Sequence, residues 1–258
     1  MNQNSILEGF KQDNLNVLKS RKWRQSVGRF HKQYEKFLTQ LYDYDHVYPD
    51  DVIYGCGDMV IITANGFANE NGYTVNEVKK LLVELALAGA IQRVHLSDLS
   101  NSSKNALCRV KKAHKPLVYN QTYLLIDDFS KADWHRIAHW HYGSKPNYAT
   151  VKALYGKELA DKVFVGIRNC NKYRVVERYQ RRFHDIVEQN EVYPVTAMIK
   201  KFSSYANCSE RLMKEAIDGW VIEYGYFYAR DNNNIKYVVK DRHTIARSEL
   251  RTVKKEIF

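Results

Sequence analysis

Residues 85–94 read LALAGAIQRV and residues 214–225 read KEAIDGWVIEYG, and these two stretches share one order of features. In each, apolar residues at helical spacing predict a helix, and a glycine, Gly89 or Gly219, predicts the end of that helix in the left-handed conformation. The residues that follow each glycine predict the first strand of a β-hairpin. We therefore expect the chain to contain two copies of one arrangement.

The first copy is expected to contain a turn, ENGYT, at 70–74 and then a helix from Val75 to Ala88. Thr74 and Glu77 have the spacing of a capping box, which predicts the start of this helix. Glycines before the turn predict an irregular preceding helix; they are Gly55, Gly57 and Gly66. The buried face of the main helix is predicted to comprise Val75, Val78, Leu81, Leu82, Leu85 and Ala86. Strands are predicted at 91–96 and 115–127.

The second copy is expected to contain three helices. The first runs from about Tyr173 to Gln189, the second is short and runs from Pro194 through Phe202, and the third runs from Ser209 to Asp218. Proline favours the first turn of a helix because its fixed φ angle and its missing N–H cost nothing there. Strands are predicted from WVIEYGYFYAR at 220–230 and from IKYVVKD at 235–241, around the polar turn DNNN.

This order of helices and hairpin strands resembles the winged-helix family, in which a helix-turn-helix is followed by a β-hairpin wing. The resemblance implies a helix-rich α+β fold with two winged-helix units joined by a helical segment. The alternative that the joining helices begin the second unit stays open. The expected divisions are an N-terminal basic helical segment at 1–42, a first winged-helix-like domain at 43–128, a helical connector at 129–172 and a second winged-helix domain at 173–258.

The composition of the chain favours a polyanionic partner. Among its 258 residues, 40 Lys and Arg exceed 29 Asp and Glu, which leaves a net charge of +11. The four cysteines are widely spaced and lack the CxxC pairs of a structural zinc site. Neither a signal peptide nor an apolar run of membrane-spanning length is present, so we expect a cytoplasmic protein without a membrane partner, a cofactor or a bound metal.

Candidate DNA contacts lie on the predicted recognition helices and in clusters of basic residues. Polar and cationic side chains near the start of such a helix can reach base edges in the major groove. On the recognition helices they are Thr74, Asn76, Lys79 and Lys80 in the first copy and Asn207, Ser209, Arg211 and Lys214 in the second. The basic clusters, which suit phosphate contacts, comprise Arg109, Lys111, Lys112, His114 and Lys115 on a predicted hairpin and Arg178, Arg181 and Arg182 on a helix. A further basic face is predicted on a helix at 5–42.

Two patterns suggest catalysis, and both match poorly. The triplet His139-Trp140-His141, with tyrosines downstream, resembles the metal site and nucleophile of rolling-circle nickases, but it follows a helix-like segment rather than lying on a strand. Arg178 and His184 have the spacing of a small helical ribonuclease family, a spacing that arises easily by chance in an arginine-rich chain. We therefore expect the protein not to be an enzyme.

The expected function is sequence-specific binding of double-stranded DNA by tandem winged-helix units. Two tethered readers suit a long or repeated site because tethering multiplies their affinities. The layout resembles replication initiators and transcriptional regulators of plasmids and phages. A metal-dependent nickase that acts on single-stranded DNA and an interaction protein of a phage or mobile element are the alternatives. The target sequence and the oligomeric state, including a homodimer, stay open.

Overall fold

The computed structural model describes residues 3–42, 46–47, 58–94, 121–138, 140, 146–165, 175–247 and 250–252. The described chain is a helix-rich α+β protein, as predicted, with two antiparallel sheets. It divides into two compact units, Met1–His141 and Tyr142–Phe258. Within the described ranges, every helix is too short or too polar to cross a bilayer.

The first unit contains six described helices and four described strands. They are, in chain order, α1 (Gln3–Lys19), α2 (Arg21–Val27), α3 (His31–Tyr42), β1 (His46–Val47), β2 (Asp58–Thr63), α4 (Ala64–Asn71), α5 (Val75–Ala88), β3 (Ile91–Val94), β4 (Gln121–Ile126) and α6 (His135–Ala138). The strands form one antiparallel sheet in the order β1-β2-β4-β3.

The single helix predicted at 5–42 is wrong, because two residues interrupt it. Ser20 is non-helical and caps α2 by accepting a hydrogen bond from the Trp23 N–H at 3.1 Å. Gly28 has a φ of +71°, which favours glycine, and a short 3-10 turn separates it from α3. The basic face therefore spans three helices instead of one.

Helix α5 confirms the predicted capping box and the predicted glycine end. The Thr74 hydroxyl accepts from the Glu77 N–H, the Glu77 carboxylate accepts from the Thr74 N–H, and Gly89 is left-handed at φ +81°. The predicted buried face is too small, since every residue from Leu81 to Ala88 is buried. Helix α5 is thus enclosed on all sides after its first turn and a half.

The helix before the turn is regular, contrary to the prediction from its glycines. Helix α4 includes Gly66 and buries Phe67 and Ala68 completely, so packing of these side chains holds a helix that the glycine alone would weaken. Gly55 and Gly57 lie outside the described residues.

Buried Asn14 attaches α1 to the sheet side of the first unit. Its amide donates to the Tyr42 hydroxyl at 2.6 Å and to the Asp127 carbonyl at 2.9 Å, and its side-chain oxygen accepts from the Phe129 N–H at 2.8 Å. Trp134 packs edge-on against Phe129 with a centroid separation of 5.7 Å. The N-terminal helices and the segment after β4 therefore belong to the core of this unit.

The second unit contains six described helices and four strands. They are α7 (Tyr148–Tyr155), α8 (Lys157–Val163), α9 (Gln180–Asn190), β5 (Val192–Pro194), α10 (Val195–Ala206), α11 (Glu210–Glu223), β6 (Phe227–Arg230), β7 (Lys236–Val239), α12 (Arg242–Arg247) and β8 (Arg251–Thr252). The sheet is antiparallel in the order β5-β7-β6-β8. Helix α7 packs against both α8 and α11. The stretch predicted as a connector at 129–172 is thus divided between the two units.

The predicted helix end at Gly219 is wrong. Helix α11 continues to Glu223, so the residues 220–223 predicted as strand are helical, and the glycine with a positive φ is Gly225 at +70°. Trp220 and Val221 are buried with Met213 and Ile217, which is helical spacing. Gly219 is instead a contact point, because a Cβ atom there would lie 2.8 Å from the Cβ and carbonyl oxygen of Ala149 on α7.

The described elements of the two units share part of their topology. Each unit has a strand, then two helices, then two further strands, and the last of these strands pairs between the other two. These elements are β2, α4, α5, β3 and β4 in the first unit and β5, α10, α11, β6 and β7 in the second, while β1 and β8 are additional edge strands. Gly89 in the first unit therefore corresponds to Gly225 in the second, instead of to Gly219 as the sequence suggested.

Candidate nucleic-acid interface

The sequence-predicted contact residues fall at three places in the chain. One group lies at the start of α5 and another around the starts of α9 and α11. The third group, on the predicted hairpin between β3 and β4, lies outside the described residues; it comprises Arg109, Lys111, Lys112, His114 and Lys115. His139 and His141 also lie outside the described residues.

At the start of α5, two of the four predicted contact residues are engaged within the unit. The Thr74 hydroxyl serves the capping box and also donates to the Glu77 carboxylate at 2.8 Å. These hydrogen bonds hold the pKa of Glu77 below its usual range. Lys80 lies 3.7 Å from the carboxylate of Glu84, which is 1% exposed and accepts from the Tyr34 hydroxyl at 2.7 Å.

Only the first turn and a half of α5 is accessible. Asn76 and Lys79 are exposed, whereas Leu81 and the residues after it are buried. In a helix-turn-helix, the N-terminal residues of the recognition helix are the ones that contact base edges. The described part of the first unit therefore offers DNA a helix start and no long helical face.

We expect Thr74→Ala to lower the free energy of unfolding by about 1 kcal/mol, because the cap of α5 loses its side-chain acceptor. Asn76→Ala is the matched control, since Asn76 is exposed and changes at such sites shift stability by less than about 0.5 kcal/mol. Urea denaturation, monitored by circular dichroism, measures the free energy of unfolding of both variants. Equal midpoints for the two variants would contradict a capping role for Thr74.

In the second unit, Arg182 of α9 meets the end of α10. The Arg182 guanidinium lies over the Tyr205 ring at 5.2 Å from its centroid, and the Tyr179 hydroxyl donates to the Tyr205 carbonyl at 2.8 Å. The prediction that the three arginines lie on one helix is wrong for Arg178, which is exposed in the turn before α9, whereas Arg181 is exposed in the first turn of α9. We call the surface formed by Arg178, Arg181, Arg182 and Tyr205 the arginine–tyrosine corner.

The corner carries positive charge that no described acidic side chain pairs with directly. None of its three arginines forms an ion pair with another residue that the structure describes. Guanidinium groups in this state are ready to donate to phosphate oxygens, often through two N–H groups at once. The corner is therefore a candidate site for a phosphate backbone.

The chain passes from the corner directly to the start of α11. Asn207 is left-handed at φ 46° and ends α10, and Ser209 caps α11 by accepting from the Leu212 N–H at 3.3 Å. The predicted contacts Asn207, Ser209, Arg211 and Lys214 are all exposed. The two groups of contact residues predicted in this unit thus lie at one end of the helix pair α10–α11.

The exposed face of α11 is mixed in charge. The side chain of Arg211 is 88% exposed, and its Nε atom lies 3.1 Å from the carboxylate of Glu215. Asp218 accepts from the Tyr228 hydroxyl at 2.6 Å, while Lys214 is exposed. This face suits selective hydrogen bonding to base edges better than it suits general attraction to phosphates.

The hairpin between β6 and β7 has a turn fixed by Asp231. Its carboxylate accepts from the Ile235 N–H at 2.9 Å and from the Tyr237 hydroxyl at 3.1 Å, and Arg230 donates to the Asn234 carbonyl at 3.0 Å. Ile235 is 44% exposed at this turn. The hairpin therefore presents one apolar side chain on a rigid tip.

His184, half of a possible ribonuclease pair, is engaged in the packing of the unit. Its ring stacks on Tyr224 at 4.5 Å, and its Nδ1 lies 2.5 Å from the Tyr226 hydroxyl, which donates to Glu188 at 2.9 Å. Lys240 bonds the same carboxylate and, with Tyr226, lowers the pKa of Glu188. These contacts tie α9 to the segment between α11 and β6, and they identify His184 as a packing residue.

The described His, Cys, Asp and Glu residues form no group of three that could hold a metal ion. Comparison with protein-family models, curated proteins and solved structures finds no match. The functional argument therefore depends on the residues of this chain.

Proposed function

We propose that this protein binds double-stranded DNA through its second unit, as a non-enzymatic tandem winged-helix protein that serves a plasmid or phage as a replication initiator or a transcriptional regulator. The observation that carries the proposal is the arginine–tyrosine corner, whose arginines lack acidic partners in the described chain, beside the exposed start of α11.

The shared topology supports a winged-helix assignment for both units. In each unit two consecutive helices are followed by two paired strands, and this order is consistent with the helix-turn-helix and hairpin wing that the resemblance implies. In the second unit α10 and α11 then form the helix-turn-helix, and the β6–β7 hairpin forms the wing. The residues at the start of α11 are those that would reach base edges.

The charge distribution supports separate roles for the two surfaces. Arg178, Arg181 and Arg182 would neutralise phosphates and release counterions, which gives affinity without sequence preference. Arg211 and Lys214 would contact base edges, where an arginine pairs best with guanine. Glu215, which holds the Arg211 guanidinium at 3.1 Å, would orient that side chain.

The two units would contribute unequally. Helix α11 exposes Arg211 and Lys214, whereas α5 is enclosed from Leu81 onward. The first unit would add contacts from Asn76 and Lys79 and from the basic side chains of its N-terminal helices. We thus propose one principal DNA-binding unit in place of the two that the sequence led us to expect.

The proposal is tested by comparing Arg211→Ala with Arg181→Ala on duplexes selected from a random pool. Arg211→Ala should relax base preference at one position, a loss of about 1–3 kcal/mol in discrimination. Arg181→Ala should weaken binding to all sequences alike and reduce the salt slope by about one unit. Affinities on matched and mismatched duplexes at several salt concentrations distinguish the two effects. Uniform weakening by both variants would contradict base reading by α11, and no selected duplex at all would contradict the proposed function.

A further inference from the structure

Tyr205 differs in its exposure from the other aromatic residues whose side chains the structure describes. The sequence has 19 Tyr, 10 Phe and 4 Trp, and the other ones with described side chains are buried or half-buried. Tyr205 is 51% exposed at the last turn of α10. The fold therefore leaves this one described ring in solvent, on the surface proposed to meet DNA.

The surroundings of Tyr205 are rigid and cationic. Helix α10 carries the residue, and the Tyr179 hydroxyl binds its carbonyl oxygen at 2.8 Å. Arg182 lies over the ring, and Lys201 is exposed one turn earlier on the same face of α10. Proteins hold single-stranded nucleic acid with exposed aromatic rings in a cationic groove, because bases stack on the rings while the cations bind the backbone.

An intact duplex can interact with the cations of this surface but not with the aromatic ring. Its phosphates can contact the arginines, but its bases are stacked on each other and present no free π-face. An unpaired base has such a face. We propose that Tyr205 stacks on an unpaired base, so that the second unit binds DNA with a separated strand more tightly than the closed duplex. This proposal rests on the proposed DNA binding by the same surface.

The test measures the affinity of the full chain for three fluorescent DNAs of one sequence. These are a closed duplex, a duplex with a short unpaired bubble, and the same bubble made of abasic nucleotides. The wild-type protein should prefer the bubble over the closed duplex by about ten-fold, within the range that stacking of one base gives, and should lose this preference with the abasic bubble. The abasic comparison needs no variant, so it holds even if a substitution prevents folding.

Variants then assign the preference to the ring. Tyr205→Leu should bring the ratio of bubble to duplex affinity to about one, whereas Tyr205→Phe, which keeps the ring, should retain a preference of about ten-fold. A wild-type protein that binds the duplex but shows a ratio near one overturns the stacking proposal and leaves duplex binding intact. A ratio that Tyr205→Leu does not change also overturns it. Failure to bind any of the three DNAs overturns both proposals.

Discussion

Gly219→Val is expected to lower the free energy of unfolding of the second unit by about 3 kcal/mol, at the upper end of the cost of overpacking a core. The Cβ atom alone would lie 2.8 Å from the Ala149 Cβ and 2.9 Å from its carbonyl carbon. Because backbone atoms of α7 are involved, a rotamer change cannot relieve the overlap. The two helices must separate, and the buried surface of Ala216 and Trp220 beside the contact must open with them.

The alanine substitution isolates this contact from helix propensity. In an open helix, Gly→Ala stabilises by up to about 1 kcal/mol, and Gly9→Ala on α1 should do so because nothing lies within 4 Å of a Cβ at that position. Gly219→Ala should instead destabilise. Thermal and urea unfolding of the three variants measures the difference. If Gly219→Ala stabilised the protein as Gly9→Ala does, the close approach of α7 and α11 would be refuted.

Replacing Arg178, Arg181 and Arg182 together by Gln is expected to weaken duplex binding by roughly a hundred-fold or more at about 0.1 M salt. Each phosphate contact contributes about 0.9 to the slope of log affinity against log salt, so loss of three should flatten that slope by about 2.7. Stability should change little, because all three side chains are exposed. Fluorescence anisotropy over a salt series measures both quantities.

A matched variant controls for net charge. Lys131, Lys157 and Lys162 are exposed and lie outside the corner, so their replacement by Gln removes the same charge from elsewhere. This control should keep the wild-type slope within about half a unit, because it leaves the proposed phosphate contacts of the corner in place. If both triple variants weakened binding equally, the arginine–tyrosine corner would have no special role.

Local features of the fold were predictable from the sequence. Thr74 and Glu77 act across three residues, and Gly89 acts on the last turn of the same helix, so local sequence suffices to predict a capping box and a left-handed helix end. Gly219 misled the prediction because its role depends on Ala149, a residue far away in the chain. A run such as WVIE suits a buried strand and a buried helix equally, and only the packing of α11 decides between them.

In the candidate site, too, features that depend on neighbouring residues were predictable and features that depend on tertiary packing were not. Exposed Arg211 and Lys214 were predicted from the helical spacing of the buried residues on α11. The pairing of Arg182 with Tyr205 was not, because it depends on how α9 packs against α10. One local feature does indicate that Tyr205 is exposed. It lies in the polar stretch SSYAN, which has too few apolar residues to form a buried helix face. The ion pair of Lys80 with Glu84 also has a local signal, because residues four apart on a helix lie on the same face.

The measurement that tests DNA binding most directly is the affinity of the purified full chain for a selected duplex at several salt concentrations between about 50 and 200 mM. Three or more phosphate contacts predict that log affinity falls with log salt with a slope of about −3 or steeper. Nanomolar to micromolar binding with such a slope is the expected result. An affinity that does not change with salt, or no binding at micromolar protein, would contradict the proposed function.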